Sequence, residues 1–465
     1  MNTPPKLKHI LTPVTRADDL GIPLSIVHDL LFRILFNEGT ANISRFAEIL
    51  GLHAQIIDGQ LAQMKQEHLV EVTKAGGMGS LSFTYGLTEK GTKRARDAMA
   101  RSQYIGRVPV SLEDYVDAIE AQSNSMRISP DQVKRALSHL ILPDNFHRKI
   151  GPAVNAGTSL FLYGPPGNGK TTVAQAMADL LSKDNPIWLP DAITAGGQVI
   201  RVFDPLVHIP LKQEDMPLHT AHLSHNGATN KLKIDHRWRL FERPAVMVGG
   251  ELTMDSLNLR FEESAKVYEA PLQLKANGGM FLIDDFGRQM ISPDELLNRW
   301  IVPLESGFDF LRLQSGQTLQ VPFRQLIVFS TNLDPGQLVD GAFMRRIQMK
   351  VEVGGPSEKL FYQIFLVMCK AYRIPFEKKG FVHLLQKWYR QPNRTMQAVH
   401  PRDILKTIMA IADYEGVPPE LTPDLIDEAC DSYFVDGDMS ATLSDINKAN
   451  GTAVDSYTQT VPAFN

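Results

Sequence analysis

The sequence of 465 residues contains only two cysteines, Cys369 and Cys430. Two thiols in separate predicted helices cannot form a disulfide framework, and such scarcity is typical of a protein in the reducing cytoplasm. The sequence also lacks an apolar run of about 20 residues, which a membrane-spanning helix requires. Residues 1–14 show no apolar core followed by a cleavage site. We therefore expect a cytoplasmic protein without a secretory signal or membrane insertion.

The chain also lacks a large excess of basic or acidic residues. The chain has 48 Lys and Arg against 52 Asp and Glu, a net charge of -4. This balance gives no global electrostatic signature for binding nucleic acid or a membrane surface. The hydrophobic fraction of 43% and the charged fraction of 22% are ordinary for a globular protein. A chain of this length predicts about three domains.

Changes in pattern along the chain predict the domain boundaries. Residues 159–353 alternate between strand-like and helix-like segments, as in a parallel α/β sheet, and residues 356–435 read as four helices. A linker rich in polar residues is expected between the first domain and the α/β domain, and a polar, disordered tail at the end. The predicted domains are 1–100, 101–128 as linker, 129–355, 356–435 and 436–465 as tail.

The first domain shows three helices followed by a hairpin with a glycine-rich tip. The helices are predicted over 24–36, 43–50 and 53–68, and the strands over 69–73 and 81–85. This order resembles a winged helix-turn-helix domain. Residues 1–100 carry 11 basic and 10 acidic residues, a net charge of +1, whereas a strong phosphate-binding face would be more basic. Its partner can therefore be either DNA or a protein.

A complete phosphate-binding loop follows the apolar run Ser159–Tyr163. Residues 164–171 match GxxxxGK[ST] at every fixed position, and helical spacing follows, so a chance glycine-rich turn is the weaker interpretation. Backbone N–H groups in such a loop point at phosphate oxygens, Lys170 would reach the β- and γ-phosphates, and Thr171 would bind Mg²⁺. The predicted ATP-binding residues are Gly164, Pro165, Pro166, Gly167, Asn168, Gly169, Lys170, Thr171 and Thr172.

Two carboxylates follow a second buried strand, residues 280–283. They lie at the carboxyl end of that strand, where ligands bind in open α/β sheets. Asp284 is predicted to hold Mg²⁺, and Asp285 to orient the water that attacks ATP. The alternative is that these residues only cap the following turn or helix.

The two motifs begin a series that resembles the AAA+ superfamily of ATPases. Asn332 follows the strand at 325–330, where the family places its sensor 1 residue between the two nucleotide motifs. Arg345 and Arg346 lie in a segment similar to that of the arginine finger, and Arg402 matches the sensor 2 arginine of the lid. The resemblance implies a three-layer αβα core with a helical lid, Mg²⁺-dependent ATP hydrolysis and a homo-oligomer, most often a hexameric ring or a helix of subunits.

Each of these later motifs has a simpler interpretation. Asn332 can cap a turn, the Arg345–Arg346 pair can be a solvated helix end, and Arg402 can be a surface charge. The sequence also departs from the family, because Asp285 stands where Glu is usual and a long insertion occupies residues 205–277. His219, His222 and His225 in that insertion suggest a metal site, but their spacing does not gather three ligands tightly.

Two classes of function agree with these features. One is a motor that uses ATP hydrolysis to remodel a protein or nucleic acid. The other is a slow nucleotide-gated switch that assembles on DNA or a protein through the first domain. Sustained, ligand-stimulated hydrolysis distinguishes the motor from the switch. A kinase or simple GTPase is disfavoured, because the resemblance of the lid with Arg402 is to AAA+ proteins.

Overall fold

A computed structural model describes residues 4–74, 82–123, 127–211, 234–338 and 341–434. Contacts divide the chain into two units. The first consists of residues 1–140, 144–164 and 170–353, and the second of residues 141–143, 165–169 and 354–465. The tail predicted over 436–465 and the histidines at 219, 222 and 225 lie outside the described residues. No helix within the described ranges is long and apolar enough to span a bilayer.

The first unit contains both helices and strands. Its helices are α1 (Pro5–Ile10), α2 (Leu24–Glu38), α3 (Ile43–Leu50), α4 (Ala54–Gln66), α5 (Glu89–Arg101), α6 (Leu112–Ser123), α7 (Pro130–Ala136), α8 (Phe146–Ala156), α9 (Lys170–Asp184), α10 (Leu272–Lys275), α11 (Pro293–Ser306), α12 (Pro335–Leu338) and α13 (Gly341–Met344). Its strands are β1 (Thr40–Asn42), β2 (Val70–Lys74), β3 (Thr84–Leu87), β4 (Val110–Ser111), β5 (Ser159–Tyr163), β6 (Ile187–Pro190), β7 (Ala192–Ala195), β8 (Gln198–Arg201), β9 (Trp238–Phe241), β10 (Ala245–Val248), β11 (Arg260–Glu262), β12 (Val267–Glu269), β13 (Met280–Ile283), β14 (Phe308–Arg312), β15 (Thr318–Pro322), β16 (Leu326–Thr331) and β17 (Met349–Glu352).

The N-terminal module, residues 17–101, combines helices α2 to α5 with a small antiparallel sheet in the order β1-β3-β2. The Asn42 side chain caps α3 by accepting a hydrogen bond of 2.8 Å from the Arg45 backbone N–H, as its position before an apolar helix predicts. Helix α4 buries Ile57 and Leu61 completely. Strand β1 was not predicted, because three residues between two helices show no alternation.

The segment predicted as a linker, 101–128, instead contains β4 and α6. Helix α6 buries Tyr115 and Ile119 completely. Gln122, whose polarity favoured a linker, is buried because its side-chain amide pairs with the backbone of Trp188, accepting a hydrogen bond of 2.7 Å and donating one of 3.0 Å. A polar residue can thus lie in a core when a partner satisfies its hydrogen bonds.

The central sheet has the order β10-β13-β16-β5-β17, and all four of its strand pairs are parallel. The predicted parallel α/β core is thereby confirmed. The inner strands β13, β16 and β5 are almost completely buried, whereas the outer strands β10 and β17 also have exposed residues. Aromatic rings pack beside the inner strands, with ring centroids 5.0 Å apart for Phe286 and Phe329 and 5.4 Å apart for Trp300 and Phe281. Strand β16 lies between β5 and β13, so the segments that follow these three strands meet at one edge of the sheet.

The accessory sheet has the order β11-β12-β8-β7-β4 and mixes parallel with antiparallel pairs. Its hydrophobic core also takes side chains from α1, α6, the β6–β9 ribbon and the β14–β15 hairpin. Leu7 and Leu11 enter this core from the start of the chain, and Val321 enters it from the hairpin. The accessory core therefore joins segments that are far apart in sequence.

Within the same unit, the N-terminal module packs against this accessory region. The backbone N–H of Gln103 donates to the Ala265 carbonyl at 2.8 Å, and Lys266 donates to the Ala100 carbonyl at 2.8 Å. Gly51, in the turn between α3 and α4, lies against the backbone of His236, since a Cβ at Gly51 would be 2.7 Å from the His236 oxygen. The module is thus fixed through the ends of α3 and α5.

The described part of the second unit is helical, as predicted for 356–435. It contains α14 (Glu358–Tyr372), α15 (Lys378–Leu384), a π-helical turn (Leu385–Arg390), α16 (His400–Glu415) and α17 (Pro423–Tyr433). The two cysteines are free and buried there, and burial raises the pKa of Cys369 to about 11 and that of Cys430 to about 12. Both thiols are therefore protonated at neutral pH.

Candidate nucleotide-binding site

The predicted phosphate-binding loop leads from the buried strand β5 into helix α9. Gly164 has a φ of 137°, and a Cβ at this residue would lie 2.5 Å from the carbonyl oxygen of Val353. Only glycine meets both conditions. Lys170 begins α9 and Thr171 and Thr172 lie in its first turn, where backbone N–H groups without helical partners can bind an anion.

Lys170 connects the loop with the segment after strand β16. Its Nζ donates a hydrogen bond of 2.9 Å to the Gly164 carbonyl and another to Oδ1 of Asn332. Burial lowers the pKa of Lys170, and the nearby carboxylates of Asp285 and Asp284 oppose that shift. The structure thus brings together the phosphate-binding lysine and the asparagine expected to act as sensor 1.

Thr171 and Asp284 form the expected pair for a cation. The hydroxyl of Thr171 donates to Oδ2 of Asp284 at 2.7 Å. The backbone N–H of Asp284 donates to the Val248 carbonyl at 2.8 Å, which fixes the residue at the end of strand β13. A hydroxyl and a carboxylate are hard oxygen ligands of the kind that Mg²⁺ prefers, so these residues fit the ion.

Asp285 lies beside Asn332 in an unusual backbone conformation. Its φ is 50°, and its Oδ1 accepts a hydrogen bond of 3.0 Å from Nδ2 of Asn332. Asn332 therefore contacts both Lys170 and Asp285 through the two ends of its amide. The side chain of Asp285 is exposed, as a group that orients water must be.

Gln289, which lies four residues after Asp285, was not among the residues predicted from the sequence. Its side chain forms three hydrogen bonds with the backbone of the turn that carries the two carboxylates. No motif indicated this residue. The sequence offers one weak signal for it, a polar residue shortly after a strand that ends in two carboxylates.

The two candidate finger arginines differ in their surroundings. Nε of Arg346 donates to Oε1 of Glu305 at 2.6 Å, an ion pair with α11. Arg345 follows helix α13 and is exposed. The ion pair favours a structural role for Arg346 and leaves Arg345 as the better candidate for contact with another subunit.

In the second unit, residues 165–169 of the loop pack against the segment before α16. The Gly167 carbonyl accepts a hydrogen bond of 2.9 Å from the Val399 N–H, and Oδ1 of Asn168 accepts one of 3.1 Å from Ala398. A Cβ at Gly167 would lie 2.7 Å from the Val399 side chain. Pro165 and Pro166 are exposed. The middle of the loop is thus held by backbone contacts within this unit.

Arg402 lies in the first turn of α16. Its Nε donates to Oδ1 of Asp403 at 2.7 Å, and this hydrogen bond raises the pKa of Arg402. Its side chain is 51% exposed. The exposed guanidinium remains able to contact a ligand, whereas the bond to Asp403 limits its orientation.

The metal hypothesis for His219, His222 and His225 falls outside the described residues and stays a prediction. Within the described part of the chain, no group of three or more His, Cys, Asp or Glu side chains could hold a metal ion. His208, at the start of the insertion, has a structural role. It accepts a hydrogen bond from the Asp204 N–H at 2.9 Å and bonds the Lys275 carbonyl at 3.0 Å. Burial lowers its pKa to about 4.

Comparisons with known proteins give only distant similarities. A family model described as a domain of unknown function, DUF8689, matches residues 357–432, and no curated protein matches the chain. NtrX from Brucella abortus is 13% identical, with a TM-score of 0.39 over 67% of this chain and 62% of its own. A RuvB variant from Thermotoga maritima is 13% identical, with a TM-score of 0.33 over 66% and 71% of the two chains.

A complex of the magnesium chelatase subunits BchI and BchD contains a chain that is 16% identical, with a TM-score of 0.30 over 66% of this protein and 93% of that chain. The present chain spans less than two thirds of the length of NtrX. Because all these TM-scores are low, function is inferred from the geometry of the site.

Proposed function

We propose that the protein is a Mg²⁺-dependent ATPase of the AAA+ type. The observation that carries this proposal is the meeting of three strand ends: the loop after β5 provides Lys170 and Thr171, β13 provides Asp284 and Asp285, and the residue after β16 is Asn332. Each of these side chains contacts at least one of the others. Phosphate, cation and attacking water all need groups at this edge.

Each residue of the site has a separate proposed chemical role. Backbone N–H groups of residues 164–171 and the ammonium of Lys170 bind the phosphates, and Thr171 with Asp284 would hold Mg²⁺. The bound ion would neutralise charge on the phosphate oxygens. The carboxylate of Asp285 accepts a hydrogen bond from the attacking water and orients it. The amide of Asn332 fixes the position of Asp285 relative to Lys170.

The test is equilibrium ATP binding to full-length Lys170→Ala. This substitution removes the charge that contacts the phosphates, so we expect loss of measurable binding with unchanged thermal unfolding. Lys65→Ala, which removes an exposed lysine from α4, is the matched control and should bind ATP as the wild type does. ATP affinity of wild-type strength in Lys170→Ala would refute the assignment.

A slow nucleotide-gated switch is the second candidate, and the shorter acid at position 285 favours it. Aspartate reaches one methylene less far than the glutamate usual there, which can reduce the hydrolysis rate without affecting ATP binding. Steady-state turnover, with and without added duplex DNA, separates the candidates. A motor requires sustained and stimulated hydrolysis, whereas a switch retains ATP through many minutes.

We further propose that the N-terminal module is a winged helix that recruits the partner. The helices α3 and α4 followed by the β2–β3 hairpin support this proposal. The exposed face of α4 carries the side-chain amides of Gln55 and Gln63 and the ammonium group of Lys65. Such a face can bind DNA weakly or contact a protein, and both kinds of partner remain in the proposal.

Assembly into a homo-oligomer, as a hexameric ring or a helix of subunits, completes the proposal. Exposed Arg345 would contact the γ-phosphate of ATP bound to a neighbouring subunit, and Arg402 keeps its proposed role as the sensor 2 arginine. Positive charge supplied at the transferring phosphoryl group stabilises the transition state. The scarcity of cysteine and the two buried thiols support a cytoplasmic location.

A further inference from the structure

The turn after strand β13 has a backbone conformation that places special demands on residue 285. Asp285 has a φ of 50°, and Gly287 two residues later has a φ of 101°. Residues with a Cβ rarely occupy the left-handed region, although Asp tolerates it better than most. Other contacts must therefore maintain this conformation at Asp285.

Gln289 supplies such contacts from its side chain. Its Nε2 donates to the carbonyl oxygens of Asp284 at 2.8 Å and of Asp285 at 3.2 Å. Its Oε1 accepts a hydrogen bond of 2.9 Å from the Gly287 N–H. The side-chain amide of Gln289 thus bonds three consecutive peptide groups of the turn, and these lie on both sides of the left-handed residue Asp285.

The residue after Asp285 is anchored to the neighbouring strand β16. The Phe286 N–H donates to the Ser330 carbonyl at 2.7 Å, and the hydroxyl of Thr331 donates to the Phe286 carbonyl at 2.8 Å. Asp284 is anchored on the other side by strand β10. Between these two anchors, the Asp285 carbonyl accepts hydrogen bonds from the Arg288 N–H at 3.0 Å and from Gln289. The Asp284 carbonyl accepts its hydrogen bond from Gln289, which therefore restrains the peptide group that leads into the left-handed residue.

We propose that Gln289 is a positioning residue for Asp285, an inference that rests on the proposed ATP hydrolysis. Aspartate has one methylene fewer than glutamate, so the location of its carboxylate depends closely on the backbone that carries it. By fixing the left-handed turn, Gln289 directs the Asp285 carboxylate toward Asn332 and toward the attacking water. The short side chain of Asp285 can then orient the water because hydrogen bonds from Gln289 fix its backbone.

If Gln289 positions Asp285, its substitution should slow ATP hydrolysis without changing ATP binding. Gln289→Ala removes all three hydrogen bonds but leaves Lys170, Thr171 and Asp284 in place, so the dissociation constant for ATP should not change. Misplacement of a reacting group by about 1 Å can reduce a rate roughly a hundredfold, and we expect a loss of that order in single-turnover hydrolysis. Gln289→Met, which retains length without hydrogen bonding, should show the same loss.

The decisive experiment is a double-mutant cycle in the full-length protein. Single-turnover hydrolysis, ATP affinity and thermal unfolding are measured for Gln289→Ala and Asp285→Asn, alone and combined. If Gln289 acts through Asp285, Gln289→Ala has no further effect in the Asp285→Asn background. Gln320→Ala, at an exposed glutamine of strand β15, is the control and should retain the wild-type rate.

Two results would overturn the inference. One is hydrolysis by both Gln289 variants within twofold of the wild type. The other is an equal rate loss from Gln289→Ala in both backgrounds, which would indicate a general structural effect. A wild-type chain without any turnover would instead refute the ATPase proposal and this inference together, so the two failures are distinguishable.

Discussion

The central and accessory sheets both have five strands, but they are built and used differently. Each strand of the central sheet has four to six residues, and polar groups that contact one another follow three of them. The accessory strands have two to four residues and alternate between parallel and antiparallel pairing. The proposed chemistry thus lies on a regular scaffold, whereas the irregular sheet receives the N-terminal module.

This difference indicates that changes in the two sheets should affect separate properties. At the edge of the central sheet, Lys170 is buried, Thr171, Asp284 and Asn332 are half-buried and Asp285 is exposed. These polar side chains contact one another, so removing them should change catalysis. Side chains in the accessory core are buried and touch many neighbours, so removing them should change stability. Five predictions test this separation.

The largest effect is expected at Arg345. Removing a guanidinium that contacts a neighbour's γ-phosphate can cost on the order of a thousandfold in rate. Arg345→Ala should therefore abolish most turnover, and Arg346→Ala, which breaks the ion pair with Glu305, should cost less. Mixing Lys170→Ala with Arg345→Ala subunits should restore activity that neither has alone. A mixture that stays inactive, with turnover per subunit independent of concentration, would contradict action between subunits.

In the accessory core, Tyr115→Ala should strongly reduce stability. The ring is completely buried, and truncation of a large buried aromatic side chain costs about 3–5 kcal/mol in the free energy of unfolding. Tyr115→Phe removes only the hydroxyl, which bonds the Leu274 carbonyl and Asn277, and should cost about 1 kcal/mol. Urea unfolding measures both. Equal losses would mean that packing around this ring contributes little.

At the central edge, Asp285→Asn should show the opposite behaviour. The amide cannot accept the proton or orient water as the carboxylate does, so we expect hydrolysis to fall roughly a hundredfold or more. ATP affinity and unfolding free energy should remain at wild-type values. Single-turnover rates at saturating Mg²⁺-ATP provide the measurement, and an unchanged rate would assign the water to another acid.

Acid should destabilise the protein through His208. Its pKa is about 4 in the folded state because of burial, below the ordinary value of 6.5. The unfolded chain therefore binds the proton first, and stability present above pH 6.5 is lost as the pH falls toward 4. For His208 alone, this loss is about 2 kcal/mol in the free energy of unfolding at pH 5. His208→Gln should lose less stability than the wild type between pH 7 and 5, and equal losses would exclude this residue as the cause.

The smallest effect concerns the N-terminal module. Its near-neutral charge predicts weak binding of duplex DNA by the full-length protein, with an affinity that falls steeply as salt rises. Arg94→Glu, on the exposed side of α5, should weaken binding further, whereas Lys406→Glu on α16 should not. Fluorescence anisotropy at two ionic strengths measures both. Absence of binding at the lower ionic strength would favour a protein partner.

The sequence predicts the central sheet better than the accessory one for a physical reason. Strand Ser159–Tyr163 and helix Ile43–Leu50 were predicted at their observed bounds, because each has continuous apolar residues or a clear helical period. Strands of two to four residues contain too few side chains to show a period. They form because distant segments meet, which local sequence does not encode.

The candidate site follows the same rule. Gly164, Lys170, Thr171 and Asp284 belong to motifs whose spacing reflects direct contact with a ligand, so their placement together could be predicted. The Gln289 side chain hydrogen-bonds to backbone atoms of the turn, and its proposed role depends on a φ value that no spacing reveals. The π-helical turn Leu385–Arg390 likewise lies in a region that was predicted only as helices, because one extra residue in a turn leaves the apolar pattern nearly unchanged.

The wide separation of the segments in the accessory core has a consequence for synthesis on the ribosome. The core that Leu7 enters cannot be completed until Val321 has left the exit tunnel, roughly 310 residues later. At about 5–20 residues per second, this delay is on the order of 15–60 s. The core around Leu7 remains incomplete during that interval, so the emerging chain is a candidate substrate for chaperones that bind apolar segments. Contacts of such long range also predict slow refolding in vitro.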